Sequence, residues 1–229
     1  PVTGFKNRII NGAMVIDQRN AGASFTPTNS SYGLDRWRYQ VSQTSKLTSQ
    51  QSSVAPAGFI DSLLVTSSSS YSVLAADYFM LRQRVEGYNV ADLNWGTASA
   101  QAVTLSFWAR SSLTGTFGGS VTNSAANRFY PFSYTISSAD TWEYKTITIA
   151  GDTTGTWLTN NGIGIEINFS LGMGSTYSGT AGAWSSTEAY SVTGATSVVG
   201  TSGATFYITG VQLEAGNTAT SFDYRPYGT

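Results

Sequence analysis

The amino-acid sequence predicts an all-β fold, a two-sheet antiparallel β-sandwich of the jelly-roll kind. Three observations lead to this prediction. Short runs of aromatic and β-branched residues alternate in polarity with a period of two, turn residues separate these runs, and no long stretch shows a convincing helical pattern. About ten strands without a helix favour a sandwich or barrel over an α/β design.

Ten segments carry this strand pattern. In residues 103–110, for example, Val103, Leu105 and Phe107 share one face and Trp108 lies on the other. This alternation predicts a strand with one buried face. In chain order, the predicted strands are residues 8–16, 37–43, 59–66, 78–85, 103–110, 130–136, 144–149, 164–171, 191–199 and 205–213.

The segments between these runs are predicted to be loops. The Ser-rich stretches at residues 48–53 and 67–72 have the composition and length of connections between strands. A single helical turn is compatible with residues 75–77 or with residues 90–93.

The composition indicates one domain. Hydrophobic side chains make up 41% of the 229 residues and aromatic ones 13%, which is ample for one substantial core. We therefore predict a jelly-roll domain at residues 7–217. A linker at residues 1–6 precedes it, and a linker or tail at residues 218–229 follows.

The charge balance excludes two classes of partner. Charged residues make up 11% of the chain, against about 25% in an ordinary globular domain, and the net charge is -1. Such a surface does not attract nucleic acid or an anionic membrane. The longest apolar runs, residues 63–65 and 103–105, are far shorter than the roughly 20 residues of a membrane span. We expect neither nucleic-acid binding nor membrane insertion.

Cysteine and histidine are absent from the chain. Their absence excludes zinc sites built on these residues, Ser-His and Cys-His nucleophile pairs, and disulfide bonds. The sequence therefore offers little of the usual catalytic chemistry.

Several strings spread over nearly the whole chain resemble a known family. Near its start the chain has Asn-Arg-Ile-Ile-Asn-Gly-Ala-Met at residues 7–14, and around its last predicted strand it has Phe-Tyr-Ile-Thr-Gly-Val-Gln-Leu-Glu at residues 206–214. Further strings of this kind are residues 17–19, 34–37, 95–97, 106–110, 151–152 and 222–226, together with Gln83. In combination they resemble a module of the tail fibres and other appendages of tailed bacteriophages. More distantly, the chain is similar to carbohydrate-binding modules with a jelly-roll fold, in which the first and last strands lie side by side.

The resemblance implies a virion component located in a tail or another external appendage. It also implies a homo-oligomer, a trimer, that contacts other virion proteins and presents its sandwich to glycans on the host surface. Two alternatives stay open. One is a structural protein of the capsid, head fibre or neck that binds no ligand, and the other is a tail-spike enzyme that degrades glycans.

Sugar recognition needs flat aromatic faces for the pyranose ring and polar side chains for its hydroxyl groups. Trp108 and Tyr134 are the aromatic candidates, and Arg82 and Gln83 on a neighbouring predicted strand are polar candidates. Trp108 is equally compatible with a place in the core, because tryptophan is usually well buried.

The Gly-rich region at residues 172–187 contains two further aromatic candidates. Tyr177 and Trp184 stand there among Gly, Ser and Ala. They are expected either to anchor the loop in the core or to form exposed binding platforms.

Glycan degradation would need only a pair of carboxylates, roughly 5 to 9.5 Å apart. The acidic candidates in strands are Glu143, Glu166 and Glu214, with Glu86 at a strand end. Glu166 alternates with apolar neighbours, as a solvent-facing strand residue does, and nothing singles out a pair. We predict ordinary surface carboxylates, no catalytic residues and no enzyme activity.

A structural calcium ion is the one cofactor that the resemblance suggests. Related carbohydrate modules often hold one between their terminal strands, and Asp17 and Glu214 could supply oxygen ligands here. No spacing in this sequence requires the ion, so we predict no cofactor and no metal ligand.

Overall fold

A computed structural model of the chain describes residues 6–224. It contains twelve strands: β1 Trp37–Val41, β2 Leu47–Ser52, β3 Ser62–Ser67, β4 Tyr78–Glu86, β5 Val103–Ser111, β6 Gly115–Thr122, β7 Phe129–Ile136, β8 Glu143–Ile149, β9 Ile163–Met173, β10 Ser178–Gly179, β11 Ser191–Val192 and β12 Thr205–Ala215. Three short 3₁₀ helices span Gly87–Asn89, Ala91–Leu93 and Ser175–Tyr177. Within residues 6–224, no helix is long and apolar enough to cross a membrane.

Two five-stranded antiparallel sheets form the domain, so the predicted all-β sandwich is confirmed. The front sheet has the order β1-β4-β9-β6-β7, and the back sheet has the order β2-β3-β12-β5-β8. The short strands β10 and β11 pair in parallel. They lie on the outer face of the front sheet, where a Cβ atom at Gly118 of β6 would come within 2.9 Å of the Val192 backbone nitrogen.

The core lies between the two sheets and is rich in aromatic rings. Phe107 of the back sheet meets Phe169 of the front sheet edge to face, with ring centroids 5.1 Å apart. Phe117 and Phe206 stack across the same space at 6.0 Å. Burial of each such side chain contributes about 1.5–3 kcal/mol, so these inward faces hold the sheets together.

Eight of the ten predicted strands are present, with boundaries shifted by a few residues. The predicted strand at residues 8–16 is wrong, because Asn11 and Met14 have positive φ angles of 56° and 60° that interrupt extended backbone. The segment nevertheless runs beside β12: the Arg8 N–H donates to the Leu213 carbonyl (2.9 Å), and the Val211 N–H donates to the Gly12 carbonyl (2.9 Å). The first and last segments of the domain therefore lie side by side, as the resemblance implies.

Three strands, β2, β6 and the two-residue β10, were missed, and one predicted strand was overextended. Strand β2 occupies the Ser-rich stretch that was predicted to be a loop, because its inward position is Ser49, whose hydroxyl donates to the Leu64 carbonyl at 3.0 Å. Strand β6 has glycine inside, since a Cβ atom at Gly119 would come within 2.4 Å of the Phe132 ring. The predicted strand at residues 191–199 is confined to β11. The turn expected near residues 90–93 is the 3₁₀ helix Ala91–Leu93.

Candidate functional site

The outer face of the front sheet carries a row of polar side chains. The strand register aligns Arg38 of β1, Arg82 of β4, Asn168 of β9 and Ser120 of β6. The Arg82 Nε donates to the Asn168 Oδ1 at 2.5 Å, and the Asn168 Nδ2 donates to the Ser120 Oγ at 3.1 Å. These bonds fix the orientation of the Arg82 guanidinium, although the row faces away from the core.

Glu166 lies beside this row and joins two arginines. Its carboxylate accepts from the Arg82 Nη1 at 2.9 Å and from the Arg84 Nε at 2.7 Å. The predicted outward orientation is correct, but the expectation of an ordinary surface carboxylate is wrong, because Glu166 is only 5% exposed. Nearly buried ion pairs of this kind depend on all their partners being present.

Three tyrosines stand over this polar floor. The guanidinium carbon of Arg82 lies 5.4 Å from the Tyr190 ring centroid, Tyr177 and Tyr190 are 6.1 Å apart, and Tyr78 meets Tyr177 edge to face at 5.8 Å. The rings border a groove of about 290 Å³. We call it the tyrosine groove, and its lining residues are Gln40, Tyr78, Met80, Arg82, Tyr177, Glu188 and Tyr190.

The wall of the tyrosine groove is held by backbone hydrogen bonds. The Tyr190 N–H donates to the Tyr177 carbonyl at 2.8 Å, and the Thr193 N–H donates to the Gly179 carbonyl at 3.0 Å. Burial and the hydrogen bond to Glu188 raise the pKa of Tyr190 to about 12. The Tyr190 hydroxyl is therefore protonated at neutral pH.

The groove combines the groups that a sugar requires. It offers aromatic ring faces, the Gln40 amide, the Glu188 carboxylate and the Arg82 guanidinium, whose Nη2 donates to the Met80 sulfur at 3.7 Å. A thioether is a weak acceptor, so this donor can bond a better one. The site can therefore stack a ring and both donate to and accept from hydroxyl groups.

Trp108 lies on the other side of the domain. As the alternation of β5 predicts, it faces outward from the back sheet, where its ring centroid lies 5.3 Å from that of Tyr144. Tyr144 is 44% exposed. The two rings border a second groove of about 510 Å³, the back groove, which is lined by Phe59, Ser106, Trp108, Tyr144, Gly210, Ala219, Thr220, Ser221 and Phe222. It offers mainly aromatic surface and a few hydroxyl groups.

Tyr134 and Gln83, two of the candidates for contact with a sugar, are buried and line neither groove. Tyr134 points into the core, where it meets Phe107 at 4.9 Å, and burial raises the pKa of its hydroxyl. Gln83 also points inward, where it accepts from the Ile10 N–H at 2.9 Å and donates to the Ile10 carbonyl at 3.0 Å. Strand alternation places both side chains on the inner face, and Gln83 clamps the N-terminal segment.

The structure separates the two aromatic candidates of the 172–187 region. Tyr177 lines the tyrosine groove, whereas the Trp184 indole N–H donates to the Ala150 carbonyl at 2.7 Å. The Trp184 ring packs at 5.3 Å against both Trp95 and Trp157. Trp184 is thus a loop anchor, while Tyr177 and Arg82 are brought together in one site.

The remaining acidic candidates are held by neighbouring groups. Glu86 forms an ion pair with Arg36 at the end of β4. Glu143 forms one with Lys145 at 2.5 Å, and this bond holds the pKa of Glu143 below its usual range. Neither carboxylate lines the tyrosine groove.

Asp17 and Glu214 do not fit a calcium site. Asp17 accepts from the Gly22 N–H at 2.8 Å, and Glu214 accepts from both the Thr220 N–H and the Thr220 hydroxyl, at 2.9 and 2.7 Å. Within residues 6–224, no group of three or more acidic side chains could hold a metal ion. The two carboxylates serve turns of the chain.

Sequence reasoning missed Tyr78, Tyr190 and Glu188. No local spacing links Tyr78 to Tyr190. They come together because β4 pairs with β9 and because the segment that contains β10 and β11 lies on the outer face of the same sheet. The available signal was the period-two position of Tyr78 relative to Arg82, which places both on one face of a strand.

The fold and the two grooves define a jelly-roll module with an aromatic-lined groove on the outer face of each sheet. No protein-family model matches the chain, and no curated protein matches it. Among solved structures, the enzymatically active domain of tailspike protein 4 from bacteriophage CBA120 is similar, with a TM-score of 0.50 and 15% identity over 92% of this chain. The match covers 21% of the tailspike chain, so the present chain spans about a fifth of that protein.

Two carbohydrate-binding modules are also similar. TmCBM61, solved with β-1,4-galactotriose, has a TM-score of 0.45 and 13% identity, with 92% of this chain and 99% of that chain covered. The family 11 module of Clostridium thermocellum, solved with a β-1,3-1,4-mixed-linked tetrasaccharide, has a TM-score of 0.41 and 14% identity, with 84% and 94% covered. The two five-stranded sheets and the tailspike match confirm the predicted likeness to jelly-roll modules at the level of the fold.

Proposed function

We propose that this chain is a glycan-binding module of a bacteriophage virion appendage. In this proposal it is the receptor-binding domain of a tail fibre or tail spike and attaches to glycans of the host surface. The observation that carries the proposal is the tyrosine groove, which three aromatic rings line together with the fixed guanidinium of Arg82. The strings shared with phage appendage modules support the place in the virion.

The chemistry of the groove suits a pyranose ring. A pyranose would stack its apolar face on Tyr177 or Tyr190, and its hydroxyl groups would bond Arg82, Gln40 and Glu188. Because Asn168 and Glu166 already hold Arg82, little conformational entropy is lost when a ligand binds.

The same proposal includes binding without catalysis and assembly with other virion proteins, as a homotrimer. The candidate carboxylates Glu86, Glu143, Glu166 and Glu214 are all engaged in ion pairs or hydrogen bonds, which supports a binding role. A surface on which only 11% of residues are charged lowers the desolvation cost of contacts between subunits, which supports assembly.

The test is a glycan-array and whole-cell binding assay at physiological salt. It is followed by affinity measurements on the glycan that binds. Tyr177→Ala is expected to weaken binding at least about tenfold, or about 1.4 kcal/mol, because it removes a stacking face. Trp108→Ala, a matched aromatic truncation in the back groove, is expected to leave the affinity unchanged.

The opposite pattern, loss with Trp108→Ala alone, would move the site to the back groove. Absence of binding by a well-folded oligomer would overturn the proposal in favour of a structural virion protein. Release of reducing ends from the bound glycan would favour the tail-spike enzyme.

A further inference from the structure

Basic residues are concentrated at one place on a chain that has few of them. Of 12 Lys and Arg residues, five lie on or beside the outer face of β1 and β4. We call them the arginine patch: Arg19, Arg36, Arg38, Arg82 and Arg84.

Only part of this positive charge is neutralised by ion pairs. Glu166 pairs with Arg82 and Arg84, and Glu86 pairs with Arg36. Two carboxylates thus serve three arginines. Asp35 and Glu188 border the same surface, but within residues 6–224 neither forms an ion pair with an arginine.

Arg19 and Arg38 are the two arginines of the patch whose positive charge is not neutralised by an ion pair within residues 6–224. Within residues 6–224, Arg19 has no hydrogen bond or ion pair, and its guanidinium carbon lies 5.5 Å from the Tyr32 ring centroid. Arg38 donates from Nε to the Ser30 carbonyl at 3.3 Å, while its Nη1 is buried without a partner in the described residues. Burial and the nearby charges of Arg84 and Arg82 lower the pKa of Arg38. The patch therefore holds like charges in close proximity.

A cavity of about 390 Å³ opens among these arginines. Its polar lining includes Arg19, Tyr32, Asp35, Arg36, Arg84 and Glu86. It lies next to the tyrosine groove along β4: Arg82 of the groove and Arg84 of the cavity are two residues apart, or about 6.6 Å along the strand. One extended ligand can reach both.

We propose that the glycan bound in the tyrosine groove is acidic, and that its carboxylate or phosphate group binds Arg19, Arg36 and Arg84 in this cavity. The inference rests on the proposed function. Guanidinium groups bind both kinds of oxyanion through paired, charge-assisted hydrogen bonds. Arg19 is the group best placed to respond, since it is exposed and no acceptor among residues 6–224 holds it. Asp35 and Glu86 would repel an anion that entered in another orientation, so the cavity would accept the acidic group in few orientations.

The inference is tested with pairs of glycans that differ in one acidic group. The probes are oligogalacturonate against its methyl ester, sialyllactose against its methyl ester, and mannose 6-phosphate against mannose, together with acidic and neutral pairs among the array hits. The acidic member of at least one pair is expected to bind at least about tenfold more tightly, and raising the salt to about 1 M, where the Debye length is about 3 Å, is expected to reduce this preference. The carboxylate and phosphate arms distinguish the two oxyanions.

A pair of variants assigns the preference to the patch. Arg19→Ala is expected to weaken binding of the acidic member at least about fivefold and to leave the neutral member unchanged. Arg110→Ala is the matched control, because Arg110 lies 5.3 Å from the ring of Tyr207 on the back sheet, much as Arg19 lies over Tyr32. It is expected to change neither affinity.

Equal binding of acidic and neutral members, or an Arg19→Ala variant that keeps the full preference, would overturn the inference and leave the proposed function intact. Failure of every glycan to bind would overturn both. Loss of the preference with Arg110→Ala but not with Arg19→Ala would place the anion site on the back sheet and also contradict the inference.

Discussion

The outer faces of the front and back sheets follow the same strand alternation but differ in chemistry. Beneath its covering segment, at residues 174–193, the front sheet places a guanidinium locked by Asn168 and Glu166. Beneath the segment at residues 216–224, the back sheet places Ser106 and the aromatic pair Trp108 and Tyr144. A fixed polar floor under aromatic walls can discriminate between ligands, whereas an aromatic surface with few polar groups offers mainly contact area.

The largest effect on stability is expected when the ion pairs of Glu166 with Arg82 and Arg84, on the outer face of the front sheet, are removed. Glu166→Gln leaves two arginines without their shared carboxylate, and breaking a nearly buried ion pair costs about 3–5 kcal/mol of unfolding free energy. Denaturant titration followed by intrinsic fluorescence measures this loss.

The matched change on the back sheet is Glu143→Gln. It removes the charge from a half-buried pair with Lys145 and leaves an oxygen that can accept from the Ser137 and Ser138 N–H groups. The expected loss is about 1 kcal/mol or less. If both variants lost the same unfolding free energy, the ion pairs of Glu166 would matter no more to stability than the half-buried pair of Glu143.

Acid sensitivity is a second difference between the sheets. At the start of β4, bonds from the Leu74 N–H, the Tyr71 hydroxyl and the Ser42 hydroxyl outweigh the effect of burial and hold the pKa of Asp77 below its usual range. Burial raises the pKa of Asp61, beside the back sheet. A lowered pKa stabilises the fold above the unfolded value of about 3.9, and this stability is lost as the pH falls through the folded pKa.

Asp77→Asn is therefore expected to cost about 1.5–3 kcal/mol at pH 7 and progressively less in acid. For Asp61 the sign is reversed: its stabilising contribution is present at low pH and is lost as the pH rises through its raised pKa, so Asp61→Asn is expected to leave the stability at pH 7 undiminished. Unfolding free energies from pH 2 to 7 measure both changes. An Asp77→Asn variant that parallels the wild type over this range would contradict the assignment.

A smaller effect is expected from Gly210→Ala in the back groove. Gly210 has a φ of 61° at the irregularity in β12, and a Cβ atom there would lie 2.6 Å from the Phe59 ring. The left-handed conformation costs alanine about 1–2 kcal/mol, and the Phe59 ring must also move. Thermal unfolding detects the loss, and glycan affinity is expected to stay unchanged. A fall in affinity with retained stability would point to the back groove as the binding site.

The sequence predicts which side of a strand a residue faces better than it predicts which other strands that residue contacts. Alternation in β5 correctly placed Trp108 outside the core. The same rule, applied to Tyr130, Phe132, Tyr134 and Ile136, would have placed Tyr134 inside, because these four residues share one face of β7 while Ser133 and Thr135 lie on the other. The alternation in β7 was therefore sufficient to predict the orientation of Tyr134, and the candidate was assigned to the wrong face of the strand.

The site itself was less predictable because it depends on sheet order. Arg82 and Tyr177 were selected by residue type, but nothing local indicates that β9 pairs with β4 and brings Glu166 to Arg82. Nor does the sequence show that the β10–β11 segment carries Tyr190 across the sheet. Contacts between residues so distant in the chain arise only from tertiary pairing, which single-strand patterns do not encode.

The most direct test of the account is hydrogen exchange of the full chain with and without a glycan selected on the array. Ligand binding in the tyrosine groove predicts slower exchange of backbone amides at residues 174–193, where the Tyr177 and Tyr190 wall lies, and no change at residues 216–224. Slower exchange at residues 216–224 alone would place the ligand in the back groove and contradict the central claim that the front sheet is the binding face.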